Sequence, residues 1–510
     1  MDIGSCLARN ARRHPDKWAL TCEGRSYTYG QFNREVNRLA NGLQALGVQK
    51  GEKVALMMQN SDTFAISFFA AAKLGAVLVP VNFRLTSGEV RYILEHSDTS
   101  LVVCDAEYGD LIEEARPAAV KQVIVAGVPT VSGHLAYQQV LSENEQEPDA
   151  VVHERDDLEI LYTSGTTGRP KGAVFDHHRI LQVGVKMMAL VGLQPNDRLL
   201  HLAPLFHSAQ LNLLLLPGFF LGASHVIHRH FHPLEALKAM QEHKITFFFG
   251  VPTMYTYFLQ VPNREQFDLS SVSRCAYGAA PMAPELVKQS MALFGTDQFY
   301  NFCGLTEGGP GGICLTPEDH KTKLGASGTA IFHTEARVVD DLDEDVPPGK
   351  VGELVLRGET MMKEYYKNPQ ATAETMRNGW LHTGDLAVID ENGYITLVDR
   401  KKDMIISGGE NVYSVEVEQV LYAHPGVLEA AVIGVPHDVW GEMVAAVIVP
   451  KPGQTITLEE LQSFCRKSLA SYKIPRAMFL AEQLPRNASG KILKYKLREE
   501  WREHAGKSVS

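Results

Sequence analysis

The chain has 510 residues and a mass of 56.4 kDa, which is room for about three domains at roughly 100–200 residues each. Hydrophobic residues are 45% and charged residues 21%, a globular composition that excludes disorder, collagen and coiled coil as the main architecture. The formal net charge of −11 repels phosphate backbones, so nucleic acid is not an expected partner.

The first 150 or so residues alternate helix and strand. Tyr29 to Leu46 carries Phe32, Val36, Leu39, Leu43 and Leu46 near one helical face. Lys53 to Met58 reads as a buried strand, Phe64 to Leu74 as a helix ended by Gly75, Glu89 to His96 as a helix and Leu101 to Cys104 as a strand. The middle of the chain repeats the theme, with RLLHLAPL, SHVIH, ITFFFG and SRCAYGAA as strand-like segments. The longest apolar run, Leu213 to Ala223, is broken by Pro217 and Gly218 and is too short to span a bilayer. His228, His230 and His232 alternate, which on a strand puts all three on one side, but no Cys or carboxylate completes a metal site there. From Thr334 to Gly379 short strands and Pro/Gly turns suggest a small barrel-like unit. After the charged run Asp399 to Asp403, helices and strands alternate again for about the length of one compact domain.

The seven cysteines, Cys6, Cys22, Cys104, Cys275, Cys303, Cys314 and Cys465, are odd in number and form no CxxC. That pattern predicts reduced thiols in a cytoplasmic protein. The N-terminal segment has no apolar signal-peptide core, and the last residues are neither a peroxisomal nor an ER address.

The most informative segment is Ile160 to Val174, ILYTSGTTGRPKGAV. An apolar strand runs into a loop whose glycines, Gly165 and Gly168, let backbone N–H groups turn toward an anion. Thr163, Ser164, Thr166 and Thr167 add hydroxyl donors and Lys171 a point charge. The loop is neither a Walker A sequence nor GxGxxG. Further on, NFCGLTE supplies Thr306, which can reach a phosphate, and Glu307, a hard oxygen ligand suited to Mg²⁺. In WLHTGD, Asp385 is a carboxylate after a glycine, a pattern that by itself marks a turn.

YTSGTTGRPKG, with NFCGLTE, WLHTGD, DRKKDMI, SGGENV and PRNASGKILK following in order, resembles the signatures of the adenylate-forming superfamily over nearly the whole chain. That superfamily comprises acyl-CoA synthetases, adenylation domains of peptide synthetases and firefly-type luciferases, and the chain looks most like bacterial fatty acid–CoA ligases. The resemblance implies an α/β fold: a large N-terminal domain of two α/β subdomains plus a barrel-like unit, and a small mobile α+β C-terminal domain. The boundaries expected are 1–399 for the N-terminal domain, 400–402 for a hinge at Lys402, and 403–510 for the C-terminal domain.

The resemblance also assigns roles. Thr163, Ser164, Gly165, Thr166, Thr167, Gly168 and Lys171 bind ATP phosphates. Gly278, Ala279 and Ala280 of YGAAP contact adenine and acyl group. Thr306, Glu307 with Mg²⁺, Asp385 and Arg400 complete the nucleotide site, and Lys491 bridges carboxylate and α-phosphate as charge shifts. Cys303 stands where the family commonly has an aromatic residue on the adenine, with Tyr300 and Phe302 beside it. His207, Val251, Tyr255 and Gly278 fall in the acyl pocket, and Gly408, Gly409 and Trp440 along the coenzyme A tunnel.

The implied activity is ATP-dependent acid–CoA ligation through an acyl-adenylate, with ATP, Mg²⁺ and coenzyme A. The apolar residues around His207 suit a medium- or long-chain fatty acid. An aryl acid of the benzoate or cinnamate type is the alternative, as is a stand-alone enzyme loading a carrier protein. A luciferase-like oxidative enzyme and a non-catalytic nucleotide binder are further readings. The expected partners are small molecules, without a membrane span, and a homodimer is one option for the oligomeric state.

Overall fold

The computed structural model describes residues 1–163, 169–486 and 492–507. These form two compact units: Met1–Leu324 with Gly328–Ala336 and Leu356–Leu381, and Gly325–Ser327 with Arg337–Val355 and His382–Ser510.

The first unit contains two large sheets. An eight-stranded sheet runs Glu364–Tyr365, Lys171–Asp176, Asp157–Thr163, Val77–Pro80, Lys53–Met57, Thr99–Asp105, Gln122–Ala126, Leu135–Ala136. A nine-stranded sheet runs Thr329–Ala330, Gly312–Leu315, Phe299–Gly304, Arg274–Gly278, Phe247–Gly250, Arg198–His201, Ser224–Ile227, Trp18–Cys22, Arg25–Thr28. From Phe299–Gly304 through Trp18–Cys22 neighbouring strands are parallel. Parallel strands need crossovers, which is why helices alternate with strands in the sequence.

The helix Tyr29–Ala45 starts on a capping box between Thr28 and Gln31. Its Phe32 packs with Phe69 and Phe219 in a wholly buried aromatic cluster. Gly42 is required there, since a Cβ would lie 1.8 Å from the Val140 carbonyl oxygen. Leu46 departs from the expected apolar face: it caps the helix and is exposed, because the helix ends one residue earlier. The next helix spans Asp62–Lys73, beginning two residues before Phe64 because the Ser61 hydroxyl accepts from the Phe64 N–H. The apolar run is buried as expected, and folds as a π-turn, Leu211–Leu215, continuing into the helix Leu216–Leu221. The histidine run departs from expectation: the strand ends at Ile227, so His228, His230 and His232 lie beyond it, and His232 caps the helix Pro233–Glu242. No helix among the described residues is long and apolar enough to cross a membrane.

A chain of buried imidazoles lies beneath the nine-stranded sheet. The Gln210 amide donates to His201 Nδ1 at 2.7 Å, so His201 carries its proton on Nε2 and donates to His225 Nδ1 at 2.9 Å. Burial pushes the His201 imidazole down to about 3 and His225 well below its ordinary value. The unfolded chain therefore binds these protons near pH 6.5 while the native protein refuses them. Their stabilisation is complete above pH 6.5 and is lost as the pH falls. Denaturation at pH 7 and pH 4.5 should show it, with His201 alone costing about 3 kcal/mol. His201→Gln should lose less on acidification, and equal acid sensitivity of variant and wild type would contradict the assignment.

The second unit carries a five-stranded sheet ordered Glu410–Val412, Ile405–Ser407, Gly441–Pro450, Val427–His437, with Ala477–Leu480 parallel to Gly441–Pro450. The helices Ser414–Tyr422 and Leu458–Cys465 pack on it through Val417, Leu421, Leu461 and Cys465. The antiparallel pair Trp380–Ile389 and Ile395–Arg400 precedes this α+β segment. The expected barrel-like unit is a five-stranded sheet that includes Thr334–Val339, Val351–Gly358 and that pair.

Candidate active site

In a parallel sheet, ligands gather at the carboxyl ends of strands. Four successive parallel strands of the nine-stranded sheet end beside the expected residues. His207 follows Arg198–His201, Val251 follows Phe247–Gly250, Ala279 and Ala280 follow Arg274–Gly278, and Thr306 follows Phe299–Gly304. Gly278 has no alternative, because a Cβ would sit 2.3 Å from the Phe302 carbonyl oxygen. Ala279 has φ +66°, a left-handed conformation rare outside glycine; such strain gathers at functional sites.

The strand Asp157–Thr163 pairs antiparallel with Lys171–Asp176, and Thr163 and Lys171 are register partners. The phosphate-loop candidate therefore joins two paired strand ends. Its Ser164, Gly165, Thr166, Thr167 and Gly168 lie outside the described residues. Gly172 abuts Ile160, whose side chain would lie 2.6 Å from a Cβ.

Glu307 is the centre of the described part of the site. It stands on the turn Thr306–Gly308 and is only 8% exposed. Its Oε1 accepts from Tyr365 Oη at 2.7 Å and from Thr163 Oγ1 at 3.3 Å. Lys171 Nζ lies 5.0 Å from the Tyr365 ring centroid, a cation–π contact that brings its charge to the same place. Thr306 Oγ1 shares a hydrogen bond with Ser208 Oγ at 3.1 Å. The turn is pinned from behind. Met362 N–H donates to the Glu307 carbonyl at 2.7 Å, and Thr360 Oγ1 donates to the Gly308 carbonyl at 2.9 Å. Buried Lys186 in turn donates to Thr360 and Thr334, at 2.8 and 2.6 Å. Burial brings the Lys186 ammonium down to about 8, with Glu359 opposing the fall.

Tyr365, Ser208, Thr360 and Lys186 are not singled out by sequence reasoning. Tyr365 reaches the site because Glu364–Tyr365 pairs with Ala173 and Val174, at the start of the strand that carries Lys171. The sequence signal for it is a Tyr-Tyr pair in a polar stretch.

On the acyl side, His207 caps the short helix Ser208–Gln210, its Nδ1 accepting from Ala209 N–H at 3.2 Å. Burial pushes its imidazole down to about 4. The Asn60 amide fixes the preceding loop, donating to the Ala203 carbonyl at 2.9 Å and accepting from Leu205 N–H at 2.7 Å. Tyr255 is fully buried and donates to the Ala276 carbonyl at 2.8 Å; Val251 caps its helix and is half-buried. Cys303 is half-buried, whereas Tyr300 and Phe302 alternate with it along the strand and belong to the hydrophobic core.

In the second unit, Asp385 and Arg400 are register partners, with Arg400 Nε 3.0 Å from Asp385 Oδ1. Lys402 follows in a turn, its ammonium lowered by burial. Gly408 and Gly409 form the two-residue turn between Ile405–Ser407 and Glu410–Val412, with φ +62° and +85°. Two positive φ angles in succession are the reason for a Gly pair in such a hairpin. Gly408 N–H donates to the Trp440 carbonyl at 2.9 Å. Trp440 stacks on His437, centroids 4.3 Å apart, with the Arg476 guanidinium 3.9 Å from its ring centroid. Lys491 lies outside the described residues.

Comparison with known proteins identifies the family. The AMP-binding enzyme model matches residues 7–366 and the AMP-binding enzyme C-terminal domain model residues 416–491. The chain is 39% identical over 496 residues to a feruloyl-CoA synthase of Amycolatopsis sp, covering 97% of this chain and 98% of that one. It is 36% identical over 474 residues to the long-chain-fatty-acid–CoA ligase FadD13 of Mycobacterium tuberculosis, covering 93% of each. Among solved structures, the anthranilate CoA ligase AuaEII in complex with anthranoyl-AMP matches with a TM-score of 0.90 at 30% identity, covering 98% of this chain and 97% of that one. Two matching domain models, full-length relatives and a shared fold make this chain a member of the AMP-binding enzyme family, the adenylate-forming acyl-CoA synthetases.

Proposed function

We propose that the protein is an AMP-forming acid–CoA ligase that activates a carboxylic acid with ATP and passes the acyl group to coenzyme A. The observation that carries this reading is the cluster at the Glu307 carboxylate: Thr163 and Tyr365 donate to it, Lys171 packs against the Tyr365 ring, and Thr306 precedes it on the turn after Phe299–Gly304. Hydroxyls and one lysine suit a polyphosphate.

In the first half-reaction the acid's carboxylate oxygen attacks the α-phosphorus and the bond to pyrophosphate breaks. Thr163, Ser164, Gly165, Thr166, Thr167, Gly168 and Lys171 hold the departing phosphates, and Lys491 stabilises charge between carboxylate and α-phosphate. Asp385 and Arg400 orient the ribose, and Gly278, Ala279 and Ala280 line the nucleotide and acyl groups. Mg²⁺ fits this donor set, because one carboxylate with hydroxyl neighbours matches its habit of sharing substrate phosphates and waters. Glu307 would hold it, and bound there it would offset the negative charge of the phosphates. In the second half-reaction the coenzyme A thiolate attacks the acyl carbon and AMP leaves, with Gly408, Gly409 and Trp440 along the thiol's path. The functional division proposed is 1–399, a hinge at 400–402 centred on Lys402, and 403–510.

His207, Val251 and Tyr255 would border the acyl group. A medium- or long-chain fatty acid is supported by this apolar wall and by the similarity to FadD13. An aryl acid is supported by the higher identity to feruloyl-CoA synthase and by the ring of Phe206, the residue before His207, which meets Phe83 edge-on with centroids 5.4 Å apart. The reading places the enzyme in the cytoplasm, which an odd number of cysteines with no CxxC supports, and allows a homodimer.

Pyrophosphate release against a panel of aliphatic and aryl acids, with and without coenzyme A, tests the reading. The expected result is release with one acid class, turnover increased by coenzyme A, and formation of that acid's thioester. Release without any coenzyme A thioester would transfer the assignment to a carrier-loading enzyme.

A further inference from the structure

The segment after His207 is held by buried polar side chains on alternate residues. Ser208 meets Thr306, Gln210 meets His201, and Asn212 meets Glu159. The last pair is unusual. Glu159 and Asn212 are both fully buried, and the Asn212 amide donates to Glu159 Oε1 at 2.7 Å. The remaining oxygens, Glu159 Oε2 and Asn212 Oδ1, have no hydrogen-bond partner among the described residues.

Both orphan atoms are acceptors when Glu159 is ionised, so neither can satisfy the other. One proton on Oε2 resolves both, because the acid O–H can donate to the amide oxygen while the amide N–H donates to the acid carbonyl. Burial favours that proton: it pushes the Glu159 carboxyl up to about 8, against the opposing effect of the Asn212 bond. The two residues also bridge functional segments. Glu159 lies on the strand that ends at Thr163, paired with Leu78 and Phe175 on either side. Asn212 lies in the π-turn five residues after His207.

We propose that Glu159 is a positioning residue, which as a neutral acid exchanges two hydrogen bonds with the Asn212 amide and fixes the His207 segment against the strand leading into the phosphate loop. The proposal rests on the ligase reading, since it assigns His207 to the acid's side of the site. A Glu at this place cannot be exchanged for a hydrophobic residue without releasing Asn212, whereas Gln preserves one donor and one acceptor in the same shape.

Two measurements on the full-length enzyme test it. Infrared difference spectra of wild type and Glu159→Gln at pH 7 should show a protonated-carboxyl stretch in the wild type alone, at a pH where ordinary carboxylates are ionised. Absence of that band overturns the neutral pair. In pyrophosphate exchange, Glu159→Leu should raise the KM of the acid about tenfold with the KM of ATP unchanged, and Glu159→Gln should restore it to within about threefold. An unchanged acid KM in Glu159→Leu, or equal loss of acid and ATP affinity, overturns the positioning role. If Glu159→Leu does not fold, Asn212→Ala reads the same split. An enzyme that turned over no acid would instead sink the ligase reading, and the infrared band would still decide the pairing.

Discussion

Glu307→Gln should lower acid-dependent pyrophosphate release by about a hundredfold or more, the loss typical when a preorganised electrostatic group is removed. The substitution keeps size and an acceptor oxygen, so Tyr365 and Thr163 retain a partner and the melting temperature should change little. What disappears is the negative charge, so the oxygen left for Mg²⁺ is a neutral amide carbonyl and a much weaker ligand. The variant's residual activity should therefore need much more Mg²⁺ for half-saturation. Tyr365→Phe separates charge from placement. It removes the 2.7 Å bond to Oε1 while leaving the carboxylate itself in place. A hydrogen bond to a charged group contributes about 1.5–3 kcal/mol, so release should fall by roughly ten- to a hundredfold with less change in Mg²⁺ demand. Glu307→Gln within about threefold of wild type would remove Glu307 from the chemistry.

This centre also shows which parts of the site a sequence can carry. Thr163 and Lys171 stand in a string whose composition already speaks of phosphate, with glycine for an exposed backbone and hydroxyls and lysine for an anion, whereas Thr306 and Glu307 stand out only through the place of NFCGLTE in the family resemblance. Tyr365 carries no such string. It sits some two hundred residues beyond Thr163 and arrives only through the pairing of Glu364–Tyr365 with the strand after the loop. Lys186 is equally silent, because a lysine in a helix ordinarily faces water; here it is 3% exposed and meets two threonines distant in sequence. The fold divides on the same line. Tyr29–Ala45 is legible since its apolar face repeats at helical spacing and its capping box marks the start. The π-turn Leu211–Leu215 is not, because a run buried on all sides has no periodicity to read. Alternating histidines also mislead, since alternation implies one face only while the strand lasts, and it stops at Ile227.

Lys491→Ala and Gly409→Leu should fail in opposite half-reactions. Lys491→Ala should cut acyl-adenylate formation by about a thousandfold, the upper range for loss of one group that stabilises transition-state charge. It should spare thioester formation when acyl-adenylate is supplied, since AMP is then already in place as leaving group. Gly409→Leu should leave pyrophosphate release close to wild type and abolish thioester formation, because the branched side chain would fill the space assigned to the thiol. Gly409 has φ +85°, so any side chain there also strains the backbone. Gly409→Asn controls for that strain: asparagine tolerates left-handed angles better than leucine does. Adenylation intact in both variants, with thioester formation falling further in Leu than in Asn, assigns the effect to bulk. No clash accounts for such a loss in the hairpin itself, as nothing among the described residues lies within 4 Å of a Cβ at Gly409. Equal loss of both half-reactions in Lys491→Ala would show that the lysine supports the enzyme as a whole and not the adenylation step. Adenylation lost in Gly409→Leu would show that its hairpin serves the nucleotide, and would move the thiol path elsewhere.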